Sequence, residues 1–116
     1  MVHIKATPKF VRLAQKAMTK EALQELIDEL ALYPEKGVVI QGTTGIRKIR
    51  WRTGKDNKGK SSGVRILYYY DKTMVLVLLI TLFRKSDKEN IDAAEKAELK
   101  KLLLELLKGH HHEQIR

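Results

Sequence analysis

The chain of 116 residues has no cysteine, which excludes disulfides, zinc–thiolate sites and cysteine nucleophiles. It also lacks a hydrophobic run able to span a bilayer: the longest, MVLVLLITLF at 74–83, has ten residues, about half of the roughly 20 a membrane helix needs. The opening residues Met1, Val2, His3, Ile4 and Lys5 show no apolar core followed by a small-residue cleavage site. These absences fit a reducing compartment and lead to the expectation of a cytoplasmic protein with no membrane contact. Acid is scarce in one stretch. Residues 41–70 carry eight lysines and arginines against the single Asp56, which is +7 of the net +9, while fifteen basic and thirteen acidic residues nearly cancel elsewhere. Charge so localised points to a polyanionic partner.

A hydrophobic content of 43% in a chain of this length supports one domain with its own core, expected over 1–109 and followed by a frayed tail at 110–116. The consecutive His110, His111 and His112 diverge by about 100° each on a helix and have no carboxylate cluster beside them, so no metal site and no cofactor is expected.

Thr7-Pro8 predicts a helix start, with a capping hydroxyl and a proline where its missing N–H costs nothing. Phe10, Leu13, Ala14, Ala17 and Met18 follow at helical spacing. Thr19 caps a second helix with the stripe Leu23, Leu26, Ile27 and Leu30, ending at Tyr33-Pro34. A short strand is expected at 2–6. After Gly37 the period changes to that of a strand: 46–53, then the polar loop GKDNKGKSS at 54–62, then strands at 63–71 and 74–83 around a tight turn. The last of these shows no polar alternation, which predicts a central strand covered on both faces. Ser86 with Glu89 three residues on reads as a capping box for a final helix through Ile91, Ala94, Leu99, Leu102, Leu103 and Leu106. The order is (β)ααβββα, an α+β domain with a mainly antiparallel twisted sheet.

Strand parity turns the charge into geometry. Lys48, Arg50 and Arg52 share one face and Ile49 and Trp51 the other; in the next strand Arg65, Leu67 and Tyr69 oppose Val64, Ile66, Tyr68 and Tyr70. Burying an unpaired guanidinium behind Trp51 would cost several kcal/mol, so the expected register sets Arg50 close to opposite Arg65 on an outward basic face. Like charges so placed repel, an arrangement more easily tolerated where the site exists to hold an anion, and guanidinium suits phosphate. The plainer alternative is that lysines and arginines keep an edge strand soluble; the clustering favours the anion site.

Such a site can cleave RNA without metal or histidine, because RNA carries its own 2′-hydroxyl nucleophile. A lysine hemmed in by cations gives up its proton more readily, which makes Lys48 a candidate general base, and Arg50 and Arg65 are placed to neutralise the developing phosphorane. Tyr69 on the same face can stack on a base or donate a proton, although a strand tyrosine more often packs.

The segments VIQGTTGIRKIRW, GVRILYYYD and TLFRKSDKENI, in this order around a lysine-rich loop, resemble the RelE superfamily of bacterial toxins, specifically its HigB-like branch, over roughly 32–99. The resemblance implies a RelE-like microbial ribonuclease fold whose members enter the ribosomal A site and cleave translated mRNA, and which a cognate antitoxin neutralises; the free toxin would be a monomer. It carries catalytic roles onto Lys48, Arg50, Arg65 and Lys85, with Arg52 and Arg84 beside them, and ribosomal RNA contacts onto Lys55, Lys58 and Lys60; the charge cluster adds Arg47, and the shared strand face adds Tyr69, to the expected RNA-binding residues. Two departures stand out: 91–93 reads Ile-Asp-Ala where some family enzymes use a tyrosine, and Phe83 stands where close relatives have one. Lys85 or Tyr69 is left as the general acid. The leading expectation is a ribosome-dependent mRNA endonuclease. The alternatives are a gyrase-directed, ParE-like toxin and a catalytically silent module that binds antitoxin or RNA through the same face.

Overall fold

In the computed structural model, residues 2–55, 63–84, 90–108 and 113–114 are described. The elements are β1 (His3–Ala6), α1 (Pro8–Ala17), α2 (Lys20–Leu32), β2 (Val38–Val39), β3 (Arg47–Trp51), β4 (Val64–Asp71), β5 (Leu76–Arg84), α3 (Ala93–Leu107) and β6 (Glu113–Gln114). They build an α+β fold on one sheet in the order β2-β3-β4-β5-β1-β6. Among the described residues only the β1–β5 pairing is parallel.

Both predicted caps are present. Thr7 Oγ1 accepts from the Phe10 amide at 2.9 Å and Thr19 Oγ1 from the Ala22 amide at 3.1 Å. The apolar stripes of α1 and α2 then close on one sheet face through Phe10, Ala14, Leu26 and Leu30, meeting Ile49, Val64, Ile66, Tyr68, Val77, Leu79 and Leu82. On the opposite face Leu103 and Leu106 of α3 meet Ile46, Leu67, Leu78 and Ile80. β5 is therefore covered on both faces, as its unbroken apolar run predicts. Between Thr81 and Leu79 the pairing with β4 skips Ile80, and this one-residue bulge flips parity so that Leu82 joins the α1/α2 side. Buried Thr7 holds the bulge, its hydroxyl donating to the Ile80 carbonyl at 2.6 Å.

The structure departs from the sequence reading in three places. Two short strands are added, β2 against β3 at one edge and β6 against β1 at the other, so Glu113 and Gln114 of the expected frayed tail are paired with Ala6 and Lys5. Ser86 and Glu89 lie outside the described residues, and Asn90, Ile91 and Asp92 are not helical. The capping box that starts α3 is instead Asp92 with Glu95, its carboxylate accepting from the Glu95 amide at 2.8 Å. Two boxes compete in the sequence, and the second has the apolar stripe directly behind it.

Tyr68 ties the sheet to the chain entering β2. Its buried hydroxyl donates to the Pro34 carbonyl and accepts from the Gly37 amide, both at 2.8 Å. Burial pushes this phenol above its ordinary value, against smaller opposing effects of the Gly37 amide and Arg47. The unfolded chain ionises near pH 10 while the folded one stays neutral, so the contribution is whole below that pH and lost as pH rises through the folded-state value. Tyr68→Phe is expected to cost about 1–3 kcal/mol at neutral pH, since it strands the Pro34 carbonyl and Gly37 amide. Urea unfolding at pH 8–11 should also show a shallower alkaline fall in stability for the variant than for the parent.

Candidate nucleic-acid interface

The β3–β4 register sets Arg50 opposite Arg65 and Lys48 opposite Leu67, the alignment that parity predicts. Lys48 and Arg50 are two residues apart on one strand, so their Cα atoms are about 6.6 Å apart and their side chains lie on one face. The face is not the open surface expected. It is the face on which α3 packs, because Leu67, the partner of Lys48, belongs to the α3 cluster. Arg50 is exposed and Lys48 half-buried, but Arg65 retains only 8% of its accessible surface. The physical reason is position: β4 is flanked on both sides, by β3 and β5, and Phe83 stands beside Arg65 on β5. The pair thus combines one solvated cation with one largely desolvated cation.

The other expected RNA contacts separate into groups. Arg47 pairs with Tyr68 in the register and so faces the α1/α2 side. Its guanidinium donates to the carbonyls of Glu35 at 3.0 Å and Gly37 at 2.7 Å and lies 3.4 Å from the Glu35 carboxylate, which makes it a brace for residues 35–37. Arg52 lies past the end of β3 and is ion-paired with Glu25 of α2 rather than aligned with Arg50. Arg84 pairs with Val64, which places it on the face opposite Arg65, exposed. Tyr69 shares the Arg65 face as parity predicts, but its half-buried ring packs among the α3 cluster and against Gly45. The Lys55 amine donates to the Lys16 carbonyl at the end of α1. Lys58, Lys60 and Lys85 lie outside the described residues.

Two neighbours were missed by sequence reasoning. A shallow cleft of about 470 Å³ brings Glu25 and Trp51 together with Arg50 and Arg52. Trp51 is held by its indole N–H donating to the Ala22 carbonyl at 3.0 Å. β2 pairs with β3 only at Arg47 and Lys48, so the ladder does not extend to Arg50 and Trp51. An aromatic between two arginines is a legible signal for a nucleic-acid surface; Glu25, on a separate helix, gives none. A second groove of about 640 Å³ between α1, α3 and the end of β5 has apolar walls rimmed by both signs, Glu95, Glu98 and Glu105 with Lys9 and Lys101. Among the described residues no group of three His, Cys, Asp or Glu is placed to hold a metal ion, and no helix is long and apolar enough to cross a membrane.

The basic pair thus sits on a sheet with two helices on one face and a terminal helix on the other. A family model described as the RelE toxin of the RelE / RelB toxin-antitoxin system matches residues 2–115, a span that takes in every element from β1 to β6. The chain therefore belongs to the RelE toxin family, toxins whose counterpart is an antitoxin.

Proposed function

We propose that this toxin, of the HigB-like branch, is a ribosome-dependent endoribonuclease that arrests translation by cutting mRNA in the A site, in the cytoplasm, and that a cognate antitoxin neutralises it. The observation that carries the reading is the opposition of Arg50 and Arg65 with Lys48 on the same face. Two like charges held in that register repel each other. A phosphodiester entering the pair relieves that repulsion, and does so most when a further negative charge develops on the phosphorus oxygens.

In the proposed reaction the 2′-oxygen bonds to the adjacent phosphorus and the bond from phosphorus to the 5′-oxygen breaks, leaving a 2′,3′-cyclic phosphate and a 5′-hydroxyl. Lys48 takes the 2′ proton as general base. Arg50 and Arg65 hold the non-bridging oxygens, and Lys85 or Tyr69 supplies the proton to the leaving oxygen. Trp51, beside Arg50 in the cleft, offers a ring for the neighbouring base. The test is to add the purified protein to ribosomes translating a defined message and to map new 5′ ends by primer extension. In-frame ends that need the ribosome are expected. No new ends from a folded protein in an active translation system would overturn the reading in favour of a gyrase-directed or silent member of the fold.

A further inference from the structure

We infer that Glu25 and Trp51 form a base-recognition pocket beside the proposed cleavage site, and that Glu25 selects guanine in the message. The inference rests on the proposed endoribonuclease function and adds a specificity residue to it. Glu25, Arg50, Trp51 and Arg52 line one cleft of about 470 Å³, within the roughly 300–1,000 Å³ of small-ligand sites. α2 builds one side of it. The Ala22 carbonyl of that helix accepts the Trp51 indole N–H at 3.0 Å and so fixes the ring, and Glu25 follows three residues later, about 4.5 Å further along the helix. Among the described residues β2 pairs only with Arg47 and Lys48, so the β3 edge at Arg50 and Trp51 carries no neighbouring strand and a nucleotide can enter from the side.

The carboxylate decides what the cleft receives. It repels phosphate, and by pairing with Arg52 it draws that cation out of the phosphate-binding set. The part of RNA that offers N–H donors to a carboxylate is the base. Both partners of the ion pair are about half exposed, so the pair contributes little to stability. The Arg52 contact also leaves acceptor capacity on the Glu25 carboxylate, which has about four lone-pair sites. Guanine alone presents two adjacent donors to one carboxylate, N1–H and the N2 amino group, with O6 next to them for a guanidinium. Adenine and cytosine set a ring-nitrogen acceptor beside their amino group, and uracil and thymine flank their single N–H with two carbonyls. The Glu25–Arg52 pair therefore matches the edge of guanine, while Trp51 supplies a stacking face that any base can use. Arg50 belongs both to this cleft and to the proposed phosphate pair, so the base that is read flanks the scissile bond.

Trp51 is the only tryptophan of the chain, so its fluorescence reports stacking in this cleft. The experiment titrates the parent, Glu25→Gln and Arg65→Ala with short 2′-deoxy oligonucleotides that differ only in a central G, A, C or T. The parent should bind the guanine strand about tenfold more tightly than the others, the discrimination of one bidentate base contact. In Glu25→Gln the amide offers one acceptor and one donor, so the preference should fall to about twofold or less while quenching persists. Arg65→Ala should weaken all four strands alike and keep the preference for guanine. These strands lack the 2′-hydroxyl, so the readout stands whether or not the protein cleaves message. Equal affinities of the parent for the four strands, or a guanine preference that survives in a folded Glu25→Gln, would overturn the proposal. So would Trp51 emission that no strand changes.

Discussion

Arg65→Ala is expected to slow message cleavage by about 100- to 1000-fold, the usual effect of deleting one preorganised donor to a developing oxyanion. Its strand position sets it opposite Arg50 in the register, with 8% of its surface exposed, so water is poorly placed to take over its role. Arg65→Lys keeps the charge but loses the planar fork and should recover only part of the rate. Arg50→Ala, on the exposed partner, should also impair cleavage, yet leave the melting temperature unchanged or slightly raised, because it removes a like-charge pair worth a few tenths to about 1 kcal/mol. Lost activity with retained stability marks the pair as a site rather than a structural feature. Primer extension for the rate and calorimetry for the melting temperature check both halves; Arg65→Ala retaining more than a tenth of the parent rate would contradict the assignment.

The largest stability effect is expected at Gly54. Its φ of +79° lies in the left-handed region, which costs a residue with a Cβ about 1–2 kcal/mol. A Cβ there would also sit 2.2 Å from Thr19 Oγ1 and 3.1 Å from Ala22 Cβ. That hydroxyl caps α2, so displacing it forfeits about another 1 kcal/mol. The neighbouring bond from the Thr19 amide to the Thr53 carbonyl at 2.8 Å joins the same seam. Gly54→Ala should therefore cost about 2–3 kcal/mol, a fall of roughly 10 °C in melting temperature for a domain of this size. Gly42→Ala is the control: its φ is +84° but its Cβ would meet only Lys96 Cδ at 3.7 Å, so the backbone cost alone applies. Equal melting temperatures for the two variants would show that the cap contact at Gly54 contributes nothing.

What was legible in the sequence was what a local period encodes. The alternation along β4, the caps at Thr7 and Thr19 and the two-sided burial of β5 follow from neighbours a few residues apart. The opposition of Arg50 and Arg65 followed from adding one physical constraint, the cost of burying a guanidinium behind Trp51. That constraint was right about register and wrong about exposure, because it contained no information on where α3 packs. The bulge at Ile80 was hidden for a related reason: in a run where every residue is apolar, a parity flip leaves no trace. Arg47 and Arg52 looked like further phosphate ligands because their partners, Glu35 and Glu25, lie 12 and 27 residues away. Trp51 was read as core only, although it also lines the cleft with Arg50 and Arg52.

The most direct measurement on the central claim is to place a single 2′-deoxy nucleotide immediately 5′ of the mapped cut in an otherwise unmodified message and repeat the reaction on translating ribosomes. If the RNA supplies its own nucleophile between Arg50 and Arg65, cleavage at that bond should vanish while neighbouring in-frame sites are still cut. Undiminished cleavage at the deoxy position would mean that an external nucleophile attacks the phosphate, and would contradict the mechanism built on Lys48, Arg50 and Arg65.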